Sequence, residues 1–502
     1  MTVVEKDNVE RKEYIVGLDI GSSNIVMAVG ERKEDGEVAV LGVEVQKIES
    51  CVKDGDVTNH LLLGDAIIKA KSALENDLGV KLNSAYVGIS GRSAYCVRYE
   101  DYVEINERSG CVTDFDMKEL NTRIDMVVPG GGDQIIDRIP LRYVIDDHQE
   151  VQDPLGAYGR KLSVTYLFVL VGRHQIDRVN RALHRAEIKS CGLCVNPTLL
   201  ADLLLSPDEK EEGVAIVDIG GDLTDISIIR EGKLNYFSSL PIGSSSINND
   251  LHEFLKIQKK DIDLIKHKHG SAIASSVPED TAISVKTAGH AKKSVLQRNI
   301  AEIAEERLKD IAQFVMRELK AAKFSTKIPC GVVLTGGATY LSNIDQLFAR
   351  ELNMEVRLGS MLYGLDDNSQ EMVCPLPQSA AMALLLYGSK HDACDTREFG
   401  ASPIEEEEVE PAPTPTPTPT VTTPPTTAPV TPPTTAPVTP PTTPEVVPPA
   451  DDTVTPPEDG SNKLPPIEEP PVKPKPEPET KKWWEKVRTW VETRFDDDDQ
   501  YI

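Results

Sequence analysis

The chain has 502 residues and a formal net charge of −27. Its charge lacks the basic stripe expected of a protein that coats nucleic acid. No run approaches the roughly 18 apolar residues of a spanning helix, and the charged first 14 residues lack the apolar core of a signal peptide. All three tryptophans lie in the last twenty residues, and 26 of the 36 prolines fall between Pro403 and Pro478. The expected plan is a globular body of about 395 residues built on aliphatics, a Pro/Thr tail and a short aromatic terminus. Eight irregularly spaced cysteines, with Cys191 and Cys194 in a lone CxxC, read as reduced structural thiols rather than a zinc site.

In chain order, Tyr14–Leu18 is a β-branched run that breaks at Asp19-Ile20-Gly21-Ser22-Ser23-Asn24. Strands resume at Ile25–Gly30 and Val38–Val45. Helical periodicity covers Leu61–Leu78 and Gln175–Ile188. Gly213–Asp218 repeats the opening pattern, breaking at Gly220-Gly221-Asp222-Leu223-Thr224-Asp225 before strands at Ile226–Arg230 and Leu234–Leu240. The two blocks lie about 200 residues apart, so they mark a duplicated α/β half rather than a solenoid repeat. Helices are expected at Ile247–Leu255, Ser294–Lys323, Ser342–Glu351 and Ser379–Tyr387. A third buried strand, Gly331–Leu334, ends in Thr335-Gly336-Gly337-Ala338.

A glycine turn after a strand exposes backbone N–H groups to an anion, and Ser or Thr hydroxyls add donors. One such turn says little, because hairpins look alike. Two at matching places in two halves, plus a third before a helix, point to a nucleotide cleft between the halves. The site residues are then Asp19, Gly21, Ser22, Ser23, Asn24, Asp218, Gly220, Gly221, Asp222, Leu223, Thr224, Gly336, Gly337 and Ala338. Asp19 and Asp218 stand at strand ends, where carboxylates hold Mg²⁺ through water.

These turns resemble the actin-like ATPase superfamily, and the chain is most similar within it to the FtsA family. The resemblance covers about residues 13–392. It rests on Val16–Ser23, Val87–Arg92 (VGISGR), Ile139–Val144, Gly213–Asp225, Ile265–Ser271 (IKHKHGS), Ser294–Arg298 (SVLQR) and Val333–Ala338 (VLTGGA). It implies an actin-like α/β fold of two related halves around an ATP and Mg²⁺ cleft, with Gly243 added to the site. Residues 13–85, with 172–212 and 356–392, would form subdomain 1A. Residues 86–171 would form the FtsA-type 1C, 213–255 with 324–355 would form 2A, and 256–323 would form 2B.

Two positions depart from the family pattern. Asp222 replaces a third glycine. Asn196 stands where a glutamate often precedes proline, leaving Asp202 as the nearest acidic catalytic candidate. The resemblance therefore implies ATP binding with, at most, slow hydrolysis. The implied function is division: filaments on the cytoplasmic side of the inner membrane, anchoring the FtsZ ring at the septum through the FtsZ C-terminal tail. Lys293 and Arg298 are the candidate contacts, and other division proteins are implied partners. Another actin-fold ATPase, a pilus-assembly scaffold or a sugar kinase, is the competing reading.

Residues 397–480 read as a disordered Pro/Thr linker in which VTPPTTAP nearly repeats. At about 3 Å per residue such a segment reaches well over 100 Å. Beyond it, Trp483, Trp484, Val487, Trp490, Val491 and Phe495 share a helical arc of about 140°. Basic residues outnumber acidic ones five to two between Lys481 and Phe495. That pattern reads as an amphipathic membrane-targeting helix over 481–495, which the family also implies. Docking on the body or on a protein partner are the alternatives, and Asp496–Asp499 would be repelled by an anionic surface.

Overall fold

The computed structural model describes residues 14–391, apart from 107–109, 288–291, 362 and 373–375. The linker and the terminal helix, with its six proposed membrane-facing residues, lie outside the described residues.

Two five-stranded sheets share one plan. The first runs Lys189–Val195, Ser84–Ile89, Tyr14–Ile20, Asn24–Arg32, Val38–Lys47. The second runs Val356–Leu358, Val332–Thr335, Val214–Ile219, Thr224–Arg230, Lys233–Leu240. In both, the central strand pairs antiparallel with the next strand in sequence and parallel with a later one. The expected duplication is thus a repeat of topology. Parallel pairing demands long crossovers, and the whole of each insertion fits inside one.

The strands form where β-branched and aliphatic residues cluster, and both central strands are buried almost throughout, as residues covered on both faces must be. Helix Ser379–Lys390, apolar nearly all round, is buried at ten of its positions. It packs on the face of the first sheet carrying Gly17 and Gly30; a Cβ on Gly17 would meet Ala381 O at 2.8 Å. Helix His60–Leu78 covers the opposite face, where Leu74 approaches Gly42. Asn59 caps that helix, accepting from the Leu61 and Leu62 amides.

Inserted in the chain between strands Ser84–Ile89 and Lys189–Val195 is a separate four-stranded antiparallel sheet, Ala94–Glu104, Lys161–Gly172, Asp133–Ile145, Gln149–Val151. Helix Asp114–Asp125 seals one face over Leu120, Ile124, Leu162, Val164 and Phe168. Leu167, Val169 and Val171 point the other way and join the main core. Pro140 sits at a register shift opposite Tyr166, where the missing N–H costs no ladder bond.

The second sheet carries helices Ser245–Leu255 and Lys259–His269, a hairpin Ala282–Lys286/Lys292–Leu296, and the long helix Gln297–Ala321. The helix expected from Ser294 therefore starts three residues later. Ser294–Leu296 is strand because Val295 pairs with Ile283 and is buried in the hairpin. A buried ion pair, Arg307 to Asp250 at 2.7 and 3.0 Å, ties the long helix to Ser245–Leu255. Among the described residues, Cys51, Cys194 and Cys330 are free thiols. Cys191 is disulfide-bonded, a departure from the expectation of thiols throughout.

Candidate functional site

A cavity of about 470 Å³ opens between the two sheets. The three glycine turns meet there. In the first, the Gly21 amide donates to Asn24 O at 3.1 Å, closing a turn with Ser22 and Ser23 at the cavity. In the second, the Gly220 amide donates to Leu223 O at 2.9 Å. Its carbonyls are already used, since the Ser244 and Ser245 amides donate to Gly220 O and Gly221 O at 2.9 and 2.8 Å. Gly243 permits that approach; a Cβ there would lie 2.3 Å from Gly221 O. In the third, Gly336 has φ +87°, a conformation that favours glycine, and its Cβ would strike Asp218 Oδ1 at 2.1 Å. Gly337 has open space where a side chain would go.

The remaining sequence candidates separate. Asp19, Asn24, Asp218, Gly221 and Leu223 line the cavity. Thr224 and Ala338 are fully buried behind it, and the Thr224 hydroxyl donates to Ile242 O at 2.7 Å. Asp222 does not line the cavity. Its carboxylate turns to the Asp54 amide at 3.4 Å, so it does not face a bound anion. Asp202 is half-exposed, pairs with Lys210 at 2.8 Å and with Lys390, and is absent from the cavity wall. Lys293 is exposed on its hairpin strand. Arg298, near the start of the long helix, pairs with Glu279 and Glu302.

Three carboxylates gather on the cavity wall: Asp19, Asp218 and Asp225. Burial, with the charges of Asp225 and Asp19 adding to it, pushes Asp218 from 3.8 to about 8. Burial raises Asp19 to about 7, against the Asn196 amide that donates to it at 2.6 Å. Burial also raises Asp225 to about 6, offset in part by the nearby hydroxyls of Ser239 and Ser90. Asp225 Oδ1 and Asn196 Oδ1 are buried without a hydrogen-bond partner. Carboxylates raised by burial stand here beside unpartnered buried acceptors, a donor set suited to a hydrated cation rather than to one held directly.

Sequence reasoning missed Asp225. The signal was there: Asp218 and Asp225 face each other in register across the hairpin that the second turn closes. It also missed the far end of the cavity, built by Asp263, Lys266, His267 and Tyr340. Burial pulls Lys266 down to about 8, against the nearby Asp263 carboxylate. The His267 and Tyr340 rings meet at a tilt of 39° with centroids 4.6 Å apart.

Residues 215–375 match the cell division protein FtsA family, and residues 91–170 match the SHS2 domain inserted in FtsA. The cell division protein FtsA of Pseudomonas aeruginosa is 30% identical over 387 residues, covering 76% of this chain and 90% of that protein. The Bacillus subtilis protein of the same name is 28% identical, over 75% and 86%. Among solved structures, a PilM–PilN type IV pilus biogenesis complex superposes with a TM-score of 0.53 at 14% identity, covering 75% of this chain and 98% of that one. The architecture is thus the actin-like ATPase fold. With its inserted four-stranded domain and its two matching sheets, the chain belongs to the FtsA family of cell-division proteins.

Proposed function

We propose that the chain binds Mg-ATP in the cleft between its halves and forms actin-like filaments at the cytoplasmic face of the inner membrane. There it anchors the FtsZ ring through the FtsZ C-terminal tail. The observation that carries the nucleotide reading is the pair of equivalent sheets, each aiming its DIG turn at one cavity. The residues fit the cofactor. Backbone amides at Gly21–Asn24 and Gly220–Leu223 would cradle phosphates, and Gly336 and Gly337 would flank the nucleoside. Asp19, Asp218 and Asp225 would hold Mg²⁺ through its water. Bound Mg²⁺ supplies charge neutralisation at the phosphate oxygens.

The subdomain division given above is part of this proposal: 1A, 1C (residues 86–171), 2A and 2B. The FtsZ tail would dock on 2B near Lys293 and Arg298. The 481–495 helix would hold the body to the membrane across the linker.

Titration of the full chain with Mg-ATP should release heat with saturating behaviour; no heat at millimolar nucleotide would sink the cleft reading. Co-sedimentation with anionic liposomes, with and without FtsZ, tests the tether: FtsZ should pellet only when the chain is present. Gly337→Asp should fold normally and lose nucleotide, because its side chain enters open space and would crowd and repel a nucleotide there. Gly336→Ala should instead lower the melting temperature, since φ +87° and the Asp218 clash both oppose a Cβ. Equal melting temperatures for the two variants would contradict this assignment.

Hydrolysis should be slow. Asn196 holds Asp19 but cannot accept a proton from water, and Asp202 is elsewhere. Turnover below the ordinary enzyme range of roughly 1–1,000 s⁻¹ is expected in a phosphate-release assay.

A further inference from the structure

The two halves touch away from the cavity wall and again at its solvent-exposed mouth. Away from the cavity wall, the Ser227 hydroxyl donates to Pro197 O at 2.6 Å, and the Asp54 amide donates to Asp222. At the mouth, Lys47 of the first sheet reaches Asp263 on helix Lys259–His269 at 2.9 Å. Both Lys47 and Asp263 line the cavity.

Each partner is anchored to a phosphate turn. Lys47 pairs in register with Asn24, and the next residue's amide donates to Ser23 O at 3.0 Å. Asp263 accepts from Asn248 Nδ2 at 2.6 Å. Asn248 belongs to helix Ser245–Leu255, whose first residues hold the second turn's carbonyls. Opening the mouth must therefore part this ion pair, and parting it shifts groups fixed to both turns.

We propose that the Lys47–Asp263 pair is a latch across the cleft mouth, with Lys47 a positioning residue that sets how fast nucleotide enters and leaves. The idea rests on the nucleotide reading of the cleft. Both side chains are partly exposed, so the pair alone is worth a modest amount. Its leverage comes from bridging two elements that are each tied to a phosphate turn.

The test uses the full chain and a fluorescent ATP analogue, with binding followed by stopped flow and release by chase with ATP. Lys47→Ala should speed release about twofold to fivefold, and should speed binding as well. Lys47→Glu, which sets like charges face to face, should go further. Lys47→Arg should stay near wild type. Raising salt from about 0.1 M to about 1 M should accelerate wild-type exchange more than that of Lys47→Ala.

In the nucleotide-free chain, Lys47→Ala should increase hydrogen exchange in helix Lys259–His269. Faster release with unchanged binding would mean that Lys47 is only a ligand contact, and would overturn the latch. Wild-type rates in Lys47→Ala would overturn it too. If wild type binds no nucleotide, the cleft reading fails, and the exchange measurement alone decides whether the pair holds the mouth.

Discussion

Asp218→Asn should stabilise the nucleotide-free protein and weaken Mg-ATP binding tenfold or more. Burial and two neighbouring carboxylates push Asp218 from 3.8 to about 8. In the unfolded chain the group titrates near its usual value. Between roughly pH 4 and pH 8 the folded state therefore holds more protons than the unfolded one, and stability falls as pH rises. The full cost is present above pH 8 and absent below pH 4. An amide of the same shape carries no such cost, so the gain at neutral pH is on the order of a few kcal/mol. The same amide cannot hold a hydrated cation by charge. Calorimetric melting from pH 5 to pH 8 should show wild type declining and the variant flatter. Mg-ATP binding to wild type should release protons, read as a dependence of the binding heat on buffer. A variant that binds Mg-ATP like wild type would remove Asp218 from the proposed site.

Trp484→Glu combined with Val487→Glu should release the protein from membranes as completely as deleting Lys481–Ile502, with Mg-ATP binding intact. The apolar arc is the proposed source of affinity: burying three tryptophans is worth several kcal/mol at about 25 cal/mol per Å². Basic residues contribute about 1 kcal/mol each near an anionic surface, less the repulsion from Asp496–Asp499. Two glutamates on the arc reverse the first term while changing net charge modestly. Replacing the four aspartates with asparagine should tighten binding, most visibly at low salt. Liposome flotation reads all three. Flotation of the double variant at the wild-type level would make a protein partner the occupant of that face.

The duplicated plan was legible because it is written locally. Strand, DIG turn and strand occur twice, and β-branched runs and glycine turns need only their neighbours to be recognised. What was not legible depended on pairing across distance. Asp225 joins the cavity wall because register sets it opposite Asp218. Asp222, in the same turn, stays off the cavity wall because its carboxylate turns to the Asp54 amide. Asp202 carried the acidic chemistry sought near Asn196, yet Lys210 and Lys390 claim it at the surface. The hairpin end at Ser294–Leu296 read as helix because it runs without a break signal into the amphipathic helix that follows. Lys47 and Asp263 lie 216 residues apart, and no local pattern links them.

Helix Ser379–Lys390 closes the first sheet, yet it is synthesised some 360 residues after Tyr14–Ile20, the strand on which it packs. On a ribosome adding about 5–20 residues per second, the opening strands wait tens of seconds for their cover. The second half has its sheet and helices contiguous from Val214 to Leu358 and can close before then. Vectorial synthesis thus favours a nascent chain whose later half is finished first. Its earlier half, with Gly17 and Gly30 uncovered, stays open until helix Ser379–Lys390 leaves the exit tunnel.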